Sequence, residues 1–131
     1  YHSFVGYARG QLHRMTHGSF DGYMGAKRKG LVQKFGYDTK NAAHLIRLLR
    51  MGVEFLRDGQ LYVERTADAS ELLEIKRGEW PLERVKQEAD RWFHLAEQAY
   101  LTSILPAEPD RAKISQLCVA VVERALEDCL G

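Results

Sequence analysis

The sequence predicts an all-α fold: one domain, built as a compact bundle of four to five helices. Three observations lead there. Apolar residues recur at helical spacing across 38–58, 80–100 and 110–126. The glycines and prolines that interrupt these stripes stand where helices stop and start. Only residues 60–65, around Leu61-Tyr62-Val63, read as extended, which allows at most one short strand or β-hairpin.

Taken in order, Phe4, Val5, Ala8, Leu12 and Met15 form a first helical face over residues 2–15, which His17-Gly18-Ser19 ends. Residues 18–30 carry four glycines and the basic cluster Lys27-Arg28-Lys29, and predict a mobile loop. A single helical turn is expected over 31–35, closed by Gly36. Residues 38–58 hold the clearest helix. Asp38 is suited to accept from its first amides, and Ala42, Leu45, Ile46, Leu49, Val53 and Leu56 lie on one stripe. Gly59 supplies the stop. Asp68 and Glu71 resemble a capping box opening a short helix that runs to about Arg77, before Gly78. Trp80-Pro81 introduces the next helix, with Leu82, Val85, Ala89, Trp92, Phe93, Ala96, Ala99 and Tyr100 as its apolar side. Pro106 and Pro109 end it. Asp110 starts a last helix expected to bury Ile114, Leu117, Cys118, Val121, Val122, Ala125 and Leu126.

The 131 residues are 45% hydrophobic and 28% charged, a globular composition with room for one core. No apolar run approaches the roughly 20 residues of a membrane span, and no basic-then-apolar signal pattern opens the chain. Cys118 and Cys129 would lie about 16 Å apart along one helix, too far to bridge, so both are expected as buried thiols of a cytoplasmic protein. The first residue is Tyr1, which fits a segment of a longer protein.

The net charge of +1 conceals an asymmetry. Residues 1–60 carry ten basic and four acidic side chains, a balance of +6, and the remainder carries −5. Four of the five histidines share the basic half. Such a half can face an anion or can pair with the acidic half. On the long helix, Lys40, His44 and Arg47 follow i, i+4, i+7 and fall within about 60° of arc. Two permanent cations and an imidazole in that arrangement suit a phosphate or carboxylate. Lys27 and Lys34 stand close enough in sequence to converge on the same place. On spacing alone, a solvated helix face is the simpler account. His13 and His17 share metal-ligand spacing but lack a third ligand, and no Asp-x-Asp, HExxH or phosphate-loop pattern occurs, so neither a metal site nor a catalytic residue is assigned.

Three stretches carry a family resemblance. They are Phe4-Val5-Gly6-Tyr7-Ala8 to Leu12, Lys34-Phe35-Gly36-Tyr37-Asp38-Thr39-Lys40-Asn41-Ala42-Ala43-His44-Leu45-Ile46-Arg47 with Arg50, and Asp68-Ala69-Ser70-Glu71 to Glu79. The Leu105-Pro106 and Pro109-Asp110 pairs add to them. Together they resemble predicted nucleotidyltransferases of the RNA-repair-pathway type, in the DNA polymerase β superfamily, over about residues 4–126. The resemblance implies an enzyme that moves a nucleoside monophosphate from an NTP to an acceptor such as RNA. It also implies Mg²⁺ held by an Asp-x-Asp pair on an N-terminal α/β part. This chain matches only the helical part, and Gly18-Ser19 is not followed by the carboxylate pair. Alone it is expected to be inactive, with the N-terminal catalytic domain of the same protein as its partner. Carried over by motif, Lys40, His44 and Arg47 would contact triphosphate or RNA backbone. Lys27, Lys34 and Arg50 would be secondary contacts, and Tyr37 and Asp38 would position the helix. The alternatives are a non-catalytic RNA-binding helical module, with Tyr7, Tyr23 or Tyr37 stacking on bases, and a protein-interaction domain. A HEPN-type ribonuclease needs an Arg and a His with four to six residues between them. Arg9 and His13 have three, and that family is set aside.

Overall fold

A computed structural model describes residues 1–16 and 25–130. These residues form six helices: α1 (His2–Thr16), α2 (Ala26–Phe35), α3 (Thr39–Asp58), α4 (Ala69–Arg77), α5 (Leu82–Leu101) and α6 (Arg111–Leu130). The fold is an all-α bundle, and no strand occurs among the described residues. Residues 60–65 are extended but pair with no second strand, so the short strand or hairpin expected there is absent.

α3 is the central element, packed against α5, α4 and α1 and more lightly against α2. Its buried side is the predicted stripe of Ala42, Leu45, Ile46, Leu49, Val53 and Leu56. Val5, Ala8 and Met15 of α1 join this core, with Ile75 of α4 and Val85, Ala89 and Phe93 of α5. Each buried aliphatic or aromatic side chain contributes about 1.5–3 kcal/mol of transfer free energy. That is why the three longest amphipathic faces decide the architecture.

The ends of α3 follow its local chemistry. The Asp38 carboxylate accepts from the backbone N–H groups of Lys40 and Asn41 at 3.1 and 3.0 Å. Gly59 takes a left-handed conformation (φ 70°) and donates its N–H to the Phe55 carbonyl. The turn before α3 is locked from below: the buried Tyr37 hydroxyl donates to the Trp80 carbonyl at 2.5 Å. Burial raises the Tyr37 pKa above its ordinary value, keeping it a donor.

Three expectations are corrected. The basic cluster Lys27-Arg28-Lys29 is helical, because α2 begins at Ala26; the rest of the glycine-rich stretch, residues 18–24, lies outside the described residues together with His17. Lysine and arginine favour helix, and a single interior glycine, Gly30, costs only about 1 kcal/mol against them. Phe35, against which Gly78 of the α4–α5 turn packs closely, anchors the helix end. The Asp68–Glu71 capping box does not form: Asp68 makes no side-chain cap hydrogen bond, since its carboxylate is taken by two arginines. Finally, α6 forms but buries nothing. Every residue from 111 to 129 is exposed, including Cys118 and Cys129, which were expected in the core.

Candidate functional site

The predicted cationic stripe opens onto the largest cleft found among the described residues, about 590 Å³ in volume. Lys40, Ala43, His44 and Arg47 of α3 form one wall. Ala69, Leu72, Leu73 and Lys76 of α4 form the other, and Val63 and Arg65 of the extended segment close one end. No carboxylate lines it. Lys40, His44 and Lys76 are exposed, and Arg47 is half-buried.

Specific bonds set this geometry. The Thr39 hydroxyl, fully buried, donates to the Lys76 carbonyl at 3.0 Å, tying the first turn of α3 to the last turn of α4. That bond brings Lys40 and Lys76 to the same end of the cleft. Arg47 Nη2 donates to the Val63 carbonyl at 3.2 Å and holds the extended segment against the helix. Arg47 Nε is shielded from solvent and makes no hydrogen bond within the protein. A shielded donor of this kind costs roughly 1–3 kcal/mol when unsatisfied.

Beneath the cleft floor lies a second arginine system with a different character. Arg50, only 5% exposed, donates to Asp68 at 3.0 Å and to Glu88 at 3.1 Å, and pairs with Glu71 at 2.7 Å. Its guanidinium also sits over the Trp92 ring, 5.5 Å from the centroid. Arg65 pairs with Glu54 and with Asp68. Burial opposes the Arg50 charge, but hydrogen bonds to the three carboxylates more than offset it, so its pKa is raised. Burial likewise pushes the Asp68 and Glu88 carboxyls up. Hydrogen bonds from Arg65 and Arg50 to Asp68, and from Trp92 and Arg50 to Glu88, outweigh this and hold both below their ordinary values.

The two systems therefore divide the cations. Lys40, His44 and Arg47 are gathered at one site, joined by Lys76, which sequence reading did not single out. Arg65 also lines the cleft, but its charge is answered by Glu54 and Asp68. Arg50 points into the carboxylate network rather than the cleft, so it supports α3 structurally and does not reach a ligand there. Lys27 and Lys34 are exposed on α2 and do not line the cleft. Lys34 instead lies over the ring of Phe35. Tyr37 and Asp38 hold the start of α3, as their bonds to Trp80 and to the first amides show. Among the described residues no three His, Cys, Asp or Glu side chains come together as a metal site requires. No step of the chemistry below passes through a metal in this chain.

No protein-family model, curated protein or solved structure matches the chain. No helix among the described residues is long and apolar enough to cross a membrane.

Proposed function

We propose that the cleft between α3 and α4 binds the phosphates of a nucleoside triphosphate. The chain would thus be the helical substrate-binding part of a nucleotidyltransferase that delivers a nucleoside monophosphate to an acceptor such as RNA. One observation supports this above the rest: two lysines, an arginine and a histidine line one cleft with no acid among them. Lys40 and Lys76 neutralise phosphate charge as flexible ammonium groups. Arg47 supplies directed guanidinium donors, and His44 a hydrogen bond. Val63, Leu72 and Leu73 offer an apolar wall beside the charged groups, against which a ribose or base can rest. The resemblance to RNA-repair nucleotidyltransferases supplies the triphosphate and places Mg²⁺ and the transfer step on an N-terminal catalytic part.

Titration calorimetry of the chain with inorganic tripolyphosphate and with each NTP, without added metal, tests this reading. Binding of both is expected, weakened roughly tenfold by Lys40→Ala and again by Lys76→Ala, at about 1.4 kcal/mol for each tenfold step. No transfer is expected from this chain alone. RNA binding with a steep salt dependence and no NTP affinity would replace this reading with that of a phosphate-tracking RNA module. If Lys40→Ala and Arg47→Ala leave both nucleotide and RNA binding unchanged, the cleft is a solvated surface and the protein is an interaction domain.

A further inference from the structure

α6 is a helix without a fold-derived reason to be one. Its twenty residues are exposed from 111 to 129, with Leu117 at 65%, Val121 at 59% and Leu126 at 57% exposure. At about 100° per residue, Ile114, Cys118, Val121, Val122 and Ala125 share one face, with Leu117 and Leu126 on its flanks. Lys113, Glu123, Arg124 and Glu127 lie on the other side. Isolated helices of this length are marginal in water, and four of the stripe's neighbours (Ile114, Val119, Val121, Val122) are β-branched, which lowers helix propensity further. Such a helix is held by what covers its apolar face.

The charges along α6 indicate the cover. Arg111 and Lys113 stand at the N-terminal end, and Glu123, Glu127 and Asp128 toward the C-terminal end; no basic residue occupies the last turn and no acidic one the first. Each of these charges opposes the helix dipole, at about 0.3–1 kcal/mol per charge on an exposed surface. A second α6 laid antiparallel reverses that penalty, because basic ends then meet acidic ends. With the two helices overlapped end to end, Lys113 falls opposite Asp128 of the second copy, and the contact occurs twice by two-fold symmetry. The exposed area of the apolar stripe is on the order of 500–600 Å² per chain, so pairing two copies buries about 1,000–1,200 Å², at the lower limit of a specific interface. The apolar groove on the body, lined by Tyr1, Phe4, Met51, Phe55 and Leu61, measures about 230 Å³ and is too small to take the whole stripe.

We propose that α6 is a self-association helix, and that two copies of this chain pair through it antiparallel. Size-exclusion chromatography with light scattering, from about 1 to 200 µM, measures this directly, since a dimer's population follows protein concentration. The wild-type chain should reach twice the chain mass. Val121→Asp should remain at the chain mass while keeping the near-ultraviolet signal of Trp80 and Trp92, which lie in the body. Lys113→Glu alone and Asp128→Lys alone should each weaken the dimer roughly tenfold by turning attraction into repulsion. Both changes favour the α6 dipole, so loss of helix does not explain the weakening. The double variant Lys113→Glu/Asp128→Lys should restore the dimer. A wild-type chain that stays monomeric at about 200 µM overturns the proposal, as does a double variant no tighter than the singles. A Cys118–Cys118 disulfide dimer on mild oxidation would also overturn it, because only a parallel pair sets those thiols side by side.

Discussion

Arg50→Met removes the guanidinium at the centre of the buried network and keeps most of the side-chain length. Three carboxylates lose a partner, but not equally. Asp68 retains two hydrogen bonds from Arg65, and Glu88 retains the Trp92 indole N–H at 2.7 Å. Glu71 is 46% exposed in its side chain and is rehydrated. Breaking a buried ion pair from one side costs about 3–5 kcal/mol, and the surviving partners place this case near 3. For a chain of 131 residues, that lowers Tm by about 10–15 °C. Urea unfolding followed by circular dichroism at 222 nm reads the loss as a fall in midpoint. The penalty comes from stranded carboxylate charge, so the gap between variant and wild type should shrink as the pH is lowered toward about 4. A loss under about 1 kcal/mol, or one unchanged by acid, would refute the view that Arg50 neutralises buried carboxylates. Triphosphate affinity, measured below the variant's Tm, should stay at the wild-type value, because Arg50 does not line the cleft.

Other outcomes follow from the same packing. Asp38→Ala removes both amide acceptors at the start of α3 and should cost about 1–2 kcal/mol by urea unfolding. Gly78→Ala should cost a similar or larger amount, about 1–3 kcal/mol. Its backbone is left-handed (φ 79°) and the added methyl would meet the Phe35 ring, so α2 should show faster amide exchange. Because the folded state holds the Asp68 and Glu88 carboxyls below their ordinary values, the unfolded chain binds more protons as the pH falls. The stabilisation they give is complete above about pH 5 and is lost progressively below about pH 4, visible as a falling urea midpoint. Glu88→Gln should flatten that acid slope.

Much of the architecture was legible because its signals are local. Asp38, the α3 stripe and Gly59 define a helix with no help from tertiary structure, and the α5 stripe behaves the same way. The misreadings come from competition and from missing partners. Asp68 and Glu71 have the spacing of a cap, but Arg50 and Arg65 offer stronger, charge-assisted bonds, and neither is visible from the local sequence. α6 has an apolar face as regular as that of α5. Periodicity reports amphipathicity, not what covers it, so the buried thiols were inferred from a core that does not extend to α6. At the cleft, the Lys40, His44 and Arg47 stripe is a matter of helical spacing. Lys76 joins it only through the Thr39–Lys76 bond, a contact between residues 37 positions apart that no local pattern encodes.

Phosphate binding at the α3–α4 cleft is tested most directly by backbone amide chemical-shift mapping during titration with inorganic tripolyphosphate. Saturable shifts should concentrate at Lys40, Ala43, His44, Arg47 and Lys76, and should be lost in the Lys40→Ala/Lys76→Ala double variant. Shifts centred instead on Lys27, Arg28 and Lys29 of α2, or no saturable shifts at all, would contradict it.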